Sequence, residues 1–487
     1  MLYSPLFTVV FSEGQVEQVG LMDLLSKAHQ IKDIKANSCT GKLALMRFCI
    51  AFLSDAYKLQ YLDDRAELLD DGIFEVGKLQ SYVAKCEAEG VSFNLDDEKR
   101  PFMQAAFNAK LDAKFEKPVA KILFDCPGGN NHIHLDHRHE DAHEVDTQAA
   151  FEAMLETYLF CPAGLSGASN VNNTPPVYAI VYGKNLFETL VLNMVSADEI
   201  INIPYGEGEI AWRQGECIAP GEKVVEMSFL KAFTWQPRRL TLHWDEDSMV
   251  RHVHLQNGLN FQGNGLWMDP HVIYRRNKDG AWFSVKPELG RELWRDIGTL
   301  ISGDQNARSS IPLQNARSIM GKAPAVMDVE LIGMISNQEA ILGRTSERLQ
   351  LPVQLFSRDD LAQEFRMALN LAESMNRALD NAVKQAFCHA QDKKKKSTIA
   401  QQASEAFLHE MHAALFGNYL NELIQAGSFA ERSQRYFDEM WRILDQVVLT
   451  DIVEHTGSDV ASLKRQNEVR SKVRWCYNKL KKEAVGS

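Results

Sequence analysis

Apolar and polar positions along the chain follow patterns that separate two structural parts. In the first part, short alternating segments between residues 7 and 19 flank a Ser-Glu-Gly turn and predict a β-hairpin. Residues 41–57 are apolar on nearly every side, which predicts a helix buried in the core. Residues 59–125 are predicted to be mainly helical, and short strands and turns follow from residue 203. This mixture predicts a large α+β domain over residues 1–355.

The second part, residues 356–487, has a different periodicity. Apolar residues recur there at helical spacing in four long segments. These segments are 361–387, 403–416, 429–448 and 459–483. Four helices joined by short connections are typical of an antiparallel bundle. We therefore predict a C-terminal antiparallel four-helix bundle that begins near residues 352–360.

A long polar loop with ordered flanks is predicted near the middle of the first part. Residues 161–176 are rich in glycine, proline, serine and asparagine, which favour turns and leave backbone N–H groups available to a ligand. The apolar run 177–182 predicts a buried strand, and Asn185 three residues before Glu188 predicts the start of an amphipathic helix. A loop of this length is expected to be functional, and the alternative is a surface connection that binds nothing.

The overall composition is that of a soluble globular protein. Apolar residues make up 45% and charged residues 24% of the 487 positions, and no run approaches the ~20 apolar residues of a membrane-spanning helix. The N-terminus lacks the basic start of a signal peptide, so we expect a cytoplasmic protein without membrane attachment. The eight cysteines include no Cys-x-x-Cys pair, which argues against a disulfide framework and against a zinc ribbon.

The net charge of −12 is carried by residues 1–355, because the remainder of the chain is nearly neutral. Acidity disfavours general affinity for naked nucleic acid, which depends on neutralising phosphates. Any contact with nucleic acid must then be local or shared with partner proteins. One local basic run is predicted to join two helices of the second part, and the last predicted helix is also basic. The run consists of Lys393, Lys394, Lys395 and Lys396, and either it contacts a DNA strand or it is a solvated surface.

The segment 132–143 concentrates histidines and carboxylates and matches two zinc signatures. The first, H-x-H-x-D-H, is the loop of metallo-β-lactamase-type hydrolases, in which zinc activates a water molecule. Its ligands would be His132, His134, Asp136 and His137. The second, H-E-x-x-H over 139–143, lacks the apolar residues that would bury a zinc-binding helix. A zinc-dependent hydrolase is therefore one candidate function, and a polar loop with solvated or phosphate-binding histidines is the other interpretation.

The sequence predicts no site of nucleotide hydrolysis. It contains no G-x-x-x-x-G-K-[ST] motif. Residues 206–211 match the dinucleotide-binding letters, but no helix is predicted after them and their glutamates would repel a pyrophosphate.

Several short motifs occur in order along most of the chain. They are 101–104, 129–131 with 135–137, 160–168, 183–193, 235–237, 264–267 and 330–342. Each motif alone is weakly specific, whereas their order and spacing together are fairly specific. In these residues the chain resembles the large-subunit (CasA) family of the type I-E CRISPR surveillance complex, Cascade.

The resemblance implies a non-enzymatic subunit with no catalytic residues, no cofactor and no bound metal. Some members carry a cysteine-rich zinc cluster, whose cysteines this chain lacks. Members recognise the protospacer-adjacent motif (PAM) in double-stranded DNA, promote strand separation and R-loop formation beside it, and recruit a helicase-nuclease. The guide RNA then reads the target sequence while the protein reads only a short duplex. The implied partners are the other Cascade subunits, the 5′ handle of the guide CRISPR RNA, the target DNA and the helicase-nuclease.

The resemblance also assigns three DNA contacts. The family's glycine-rich PAM loop falls on Ala163, Gly164 and Leu165, whose backbone would press against the minor groove. A glutamine wedge that inserts between base pairs falls on Gln338, next to Asn337. A third minor-groove contact falls near Gln256, where the family usually has a lysine and this chain has none.

The resemblance assigns one contact with the guide RNA. The loop that touches the 5′ handle and the PAM region falls on residues 131–136, inside the segment that carries the zinc signature. Its candidate residues are Asn131, His134, Leu135 and Asp136.

Overall fold

The computed structural model divides the chain into two units. The described residues are 1–126, 144–161, 175–200, 203–214, 219–263, 267–301, 305–319, 326–337, 340–387, 393–425, 428–449, 452 and 459–485. The first unit, called the α+β unit below, comprises residues 1–293 and 305–351. The second, the helical unit, comprises residues 294–304 and 352–487. Mixed elements in one unit and helices in the other confirm the predicted α+β fold class with a helical C-terminal region.

The α+β unit contains four three-stranded sheets and one strand pair among its described residues. Its strands are β1 (Phe7–Phe11), β2 (Val16–Val19), β3 (Ile31–Lys35), β4 (Glu116–Pro118), β5 (Tyr178–Tyr182), β6 (Lys223–Val224), β7 (Arg238–Trp244), β8 (Val250–Asn257), β9 (Asn260–Phe261), β10 (Tyr274–Arg276), β11 (Trp282–Ser284), β12 (Ala307–Arg308), β13 (Val326–Asn337) and β14 (Ala340–Pro352). The strand orders are β2-β1-β3, β4-β8-β7, β11-β10-β12 and β14-β13-β5, and β6 pairs with β9 in parallel. The predicted hairpin is β1 and β2.

Nine α-helices accompany these strands in the described part of the α+β unit. They are α1 (Leu21–Ser26), α2 (Cys39–Tyr57), α3 (Leu62–Asp71), α4 (Val76–Ala88), α5 (Ala109–Asp112), α6 (Thr147–Phe160), α7 (Leu186–Asn193), α8 (Phe229–Phe233) and α9 (Ile311–Ile319). Helix α2 is buried on nearly all sides, as its apolar pattern predicts. Phe48 of α2 meets Phe151 of α6 edge to face, with 5.4 Å between ring centroids, so these two helices pack directly in the core.

The chain after α4 is less helical than predicted. Residues 89–125, all of them described, contain the four-residue helix α5, short 3-10 turns and the strand β4. The prediction of a mainly helical segment was wrong here, because the charged run before Pro101 has no apolar face to bury and proline cannot donate a helical hydrogen bond. Asp97 instead closes a turn by accepting the backbone N–H groups of Lys99 and Arg100.

The helical unit contains the four long helices expected from the periodicity. Among its described residues, the helices include α10 (Asp359–Ala386), α11 (Lys393–Ala413), α12 (Leu420–Leu423), α13 (Phe429–Leu449) and α14 (Val460–Val485), and a π-helical turn over Ala414–Tyr419 joins α11 to α12. Helices α10 and α13 each pack against both α11 and α14. None of the described helices is both long and apolar enough to cross a membrane.

Two details of the helical unit differ from the sequence predictions. Helix α11 begins at Lys393, so the lysine run forms its first turn and does not join two helices, because lysine favours helical backbone. The segment 294–304, assigned by prediction to the first domain, belongs to the helical unit. In that segment Trp294 is buried against Phe416, and Arg295 forms an ion pair with Glu373.

Candidate nucleic-acid interface

Two long neighbouring strands, β13 and β14, flank the predicted wedge position in the sequence. Strand β13 pairs with β5 over residues 328–332 and then continues to Asn337. Strand β14 begins at Ala340, so two residues separate the strands. Strand β13 thus ends at Asn337, one residue before the predicted wedge position. Gln338 lies outside the described residues, and the Asn337 side chain before it is exposed.

The predicted PAM loop leaves the core from two buried and adjacent positions. Helix α6 ends at Phe160 and strand β5 begins at Tyr178, and their rings meet edge to face with 5.7 Å between centroids. The N–H of Val177 donates to the carbonyl of Val285, which fixes the second end in place. Ala163, Gly164 and Leu165 lie outside the described residues. Both chain ends that lead to them are anchored in the hydrophobic core.

The strand and the start of the helix after this loop were predicted correctly, but α7 is buried on nearly every side and is not amphipathic. Strand β5 is fully buried, and Asn185 caps α7 by accepting the Glu188 N–H through Oδ1 at 2.9 Å. Glu188 completes the cap by accepting the N–H of Lys184 at 2.8 Å, one residue earlier than in a regular capping box.

Two carboxylates lie buried on α6, close to the N-terminus of α2. Glu152 accepts the backbone N–H of Asn37 at 3.0 Å, and a Cβ at Gly41 would collide with its carboxylate. Glu156, one turn later, accepts the hydroxyls of Thr40 and, at 3.3 Å, Ser38. Burial, the largest cause, together with the charge of Glu156 raises the pKa of Glu152 to about 7, although the Asn37 N–H acts the other way. Glu152 is therefore partly protonated near neutral pH.

Arg344 of β14 reaches these carboxylates from the hairpin. Its Nε donates to Glu156 Oε1 at 3.0 Å, and its Nη1 also donates to the carboxylate of Asp125. The side chain of Arg344 is only 14% exposed and that of Glu156 is 6% exposed. Burial by itself would lower the pKa of the Arg344 guanidinium, but Glu156 and Asp125 outweigh burial and raise it. Arg344 thus stays charged and joins three parts of the α+β unit.

Glu152→Gln should stabilise the α+β unit more at pH 8 than at pH 5. The folded chain favours protonated Glu152, so ionising this side chain lowers the stability of the fold. The cost is absent below the ordinary glutamate pKa and reaches its full value, on the order of 3 kcal/mol, above about pH 7. Glutamine is neutral throughout and avoids this cost. Thermal unfolding of both chains at the two pH values measures the effect. The exposed Glu13→Gln is the control, and a Glu152→Gln stabilisation that does not grow with pH would contradict the prediction.

Gln256 has a structural role and is not exposed to a ligand. Its side chain is buried, and its amide donates to Asp112 Oδ1. Asp112 is also held by Arg239, with contacts of 2.9 and 2.8 Å. In this structure the Gln256 side chain does not reach the surface, and its assignment as a third minor-groove contact stays a prediction. Gln256 lies on the face of β8 opposite Val253 and Leu255, where the segment that contains α5 covers it.

The histidine-rich segment and the guide-handle residues fall outside the described part of the chain. This includes Asn131, His134, Leu135 and Asp136 as well as the zinc-signature positions His132 and His137. Within the described ranges, no three or more His, Cys, Asp or Glu side chains are grouped as metal ligands. The nearest described residue before this segment is Cys126, next to Asp125.

Part of the basic surface on α14 is used inside the helical unit. Arg470 forms an ion pair with Asp445 at 2.6 Å, and the Arg474 guanidinium lies 5.5 Å from the Trp441 ring centroid. These contacts support the packing of α14 on α13, whereas Lys482 extends into solvent. The side chains of Lys393, Lys394, Lys395 and Lys396 lie outside the described part.

Sequence reasoning missed the group formed by Glu152, Glu156 and Arg344. One signal was present, because Glu152 and Glu156 are four residues apart in an otherwise apolar helix and must share a buried face. Buried carboxylates require a partner, but nothing in the sequence indicates which distant residue supplies it.

Comparisons with known proteins agree on one family. A family model described as CRISPR-associated protein Cse1 matches residues 2–449. The chain is 25% identical over 383 residues to CRISPR-associated protein CasA/Cse1 of Thermus thermophilus, covering 76% of this chain and 74% of the relative. Its fold is similar to the solved structure of Thermus thermophilus CasA (Cse1), with a TM-score of 0.80, 18% identity and 98% of both chains covered. It is also similar to a chain of a CRISPR RNA-guided surveillance complex, with a TM-score of 0.77, 18% identity and coverage of 97% of this chain and 99% of that one.

Proposed function

The chain belongs to the CRISPR-associated protein Cse1 family, the large subunit of the type I-E Cascade surveillance complex, and we propose that it recognises the PAM and opens the DNA duplex beside it. The family match over residues 2–449, which includes residues of both units, carries this proposal. The subunit is proposed to be non-catalytic, as the family resemblance implies. Base pairing with the guide RNA would read the target, and the protein would read a short duplex. The family match does not favour the zinc-dependent hydrolase, which is not proposed.

Ala163, Gly164 and Leu165 are proposed to contact the minor groove at the PAM through their backbone. Alanine and glycine carry almost no side chain, so they permit close approach to the base edges. The anchored ends of the loop at Phe160 and Tyr178 support this role. A segment with fixed ends loses less conformational freedom on binding than a free one, which favours affinity.

Asn337 and Gln338 are proposed to form the wedge that separates the strands. A side chain that enters the base stack needs a stiff support, since unstacking costs a few kcal/mol. The two-stranded hairpin β13-β14 supplies such a support, and its pairing with β5 connects it to the core. Strand separation beside the PAM would then allow the guide RNA to begin the R-loop.

The remaining contacts involve the partners of the complex. Asn131, His134, Leu135 and Asp136 are proposed to touch the 5′ handle of the guide CRISPR RNA and the PAM region. Lys393, Lys394, Lys395 and Lys396 are proposed to bind phosphates of a flanking or displaced DNA strand. The other Cascade subunits and a helicase-nuclease are the proposed protein partners.

Gly164→Asp tests this function directly. The substitution adds volume and a negative charge that would face the minor groove, so we expect the assembled complex to bind its target about tenfold more weakly, equal to ~1.4 kcal/mol. The measurement is a titration of PAM-containing duplex against complexes that hold equal amounts of this subunit. Co-purification of all subunits shows whether assembly is unchanged.

Gly417→Asp provides a matched control, because a Cβ at Gly417 meets nothing within 4 Å. It introduces the same charge into the helical unit and should leave target affinity unchanged. Unaltered affinity in an intact Gly164→Asp complex would contradict the proposed position of the PAM loop.

A further inference from the structure

Arg344 binds two carboxylates that come from distant parts of the sequence. One is Asp125, which lies next to the last described residue before segment 127–143. The other is Glu156, one turn before α6 ends at Phe160 and the chain enters segment 162–174. One guanidinium therefore links the bases of two segments that the proposed function assigns to nucleic acid.

Arg344 itself lies on the hairpin that carries the third segment. It is four residues after Ala340, the first residue of β14, and six residues after the proposed wedge position Gln338. The three groups belong to the same α+β unit. Their shared ion pair connects the guide-handle segment, the PAM loop and the hairpin through side chains, in addition to the backbone.

The Glu156 end of this connection is held by the core. Its carboxylate also accepts hydroxyls from Ser38 and Thr40 at the N-terminus of α2. Arg344 approaches Glu156 through two nitrogens, Nε at 3.0 Å and Nη2 at 3.5 Å, which restricts its rotation more than a single contact would. A buried charge pair with several hydrogen bonds has few alternative arrangements, so it fixes relative positions well.

We propose that Arg344 is a positioning residue that sets the relative placement of the PAM loop and the wedge hairpin, so that recognition of the correct motif is transmitted to strand opening. This inference rests on the proposed function. It assigns Arg344 no contact with DNA. Loss of its charge pair would leave both contact segments present but no longer aligned with each other.

The test compares PAM discrimination in wild-type and Arg344→Gln complexes. The wild-type complex first selects its preferred motif from a randomised library. Discrimination is then the rate of R-loop formation on a duplex with this motif, divided by the rate on the same duplex with the motif replaced. We expect Arg344→Gln to reduce the ratio about tenfold, within the range typical of coupled sites. A purely structural defect lowers the active fraction equally on both duplexes and leaves the ratio unchanged. Arg344→Lys keeps the charge and should restore part of the ratio.

Arg348→Gln is the matched control on the same strand. Arg348 also forms a two-nitrogen ion pair, with Asp328 at 2.8 and 2.7 Å, but this pair is more exposed to solvent. It should retain wild-type discrimination. If the wild-type complex discriminates and Arg344→Gln discriminates equally well, the positioning role is wrong while the proposed function stands. If the wild-type complex itself shows no discrimination, the proposed function is wrong.

Discussion

In a Gln338→Ala complex, opening of the first base pair beside the PAM is expected to slow about thirtyfold, while initial binding of the closed duplex changes little. Separating a base pair costs a few kcal/mol, and a side chain that fills the gap and offers hydrogen bonds offsets about 2 kcal/mol of that cost. Strand β13 ends at Asn337 and strand β14 begins at Ala340, so Gln338 lies in the sequence between the two strands of the hairpin. A fluorescent base analogue at the first position measures the opening rate.

A pre-opened target distinguishes a wedge from a structural amide. On DNA with a bubble beside the PAM, Gln338→Ala should form R-loops at the wild-type rate, because the step that the wedge assists has already occurred. Gln350→Ala is the control, since Gln350 is an exposed glutamine near the other end of β14. Impairment of Gln338→Ala on bubbled and closed DNA alike would mean that the residue supports the hairpin and does not enter the duplex.

Asp269→Ala is expected to destabilise the α+β unit by about 3–5 kcal/mol, because it leaves a buried charge without its partner. Arg47 of α2 donates to Asp269 Oδ1 at 2.9 Å and to Oδ2 at 2.7 Å, and both side chains are almost completely buried. Burial alone would raise the pKa of Asp269, yet Arg47 lowers it, so the pair is ionised. Hydrogen exchange of the α2 amides measures the loss within this unit alone.

Two control variants show whether the loss of stability comes from the unpaired buried charge or from any substitution of an ion-paired residue. Asp23→Ala removes a partner of the exposed Lys27, 3.3 Å away, and should change stability by less than about 1 kcal/mol. A double variant, Arg47→Met with Asp269→Leu, replaces the pair by apolar groups and should be less destabilised than Asp269→Ala. Wild-type exchange protection in Asp269→Ala would show that the pair adds nothing to the stability of the core.

Local rules predicted those elements that depend on neighbouring residues. The apolar residues of α2 predicted its burial, and the spacing of Asn185 and Glu188 predicted the start of α7, because both features are fixed within a few turns of chain. The segment 89–125 was predicted incorrectly, since residues such as Val91 and Phe93 reach the core from a non-helical stretch and not from one face of a helix. Propensity alone could not show that this stretch folds by long-range contacts.

Local sequence patterns predicted far less of the candidate site than of the fold. The resemblance to a family supplied the positions of the PAM loop and the wedge, and composition alone indicated only a polar loop. The link from Arg344 to Glu156 joins residues 188 positions apart, and such a pairing leaves no periodic trace in the sequence. Gln256 shows the limit of family resemblance, because the side chain at a position assigned to DNA forms a hydrogen bond inside the chain, to Asp112.

Residues 352–487 do not form a module that can be inherited or exchanged alone, because the helical unit also includes segment 294–304. Trp294 packs against His412 and Phe416, so part of the interior of this unit is encoded before the last strands of the α+β unit. A gene fusion or recombination event that joined only residues 352–487 to another protein would leave that interior incomplete. The two units are therefore expected to evolve as a linked pair. Recombination breakpoints near residue 352 should be disfavoured, although the chain passes from one unit to the other at this point.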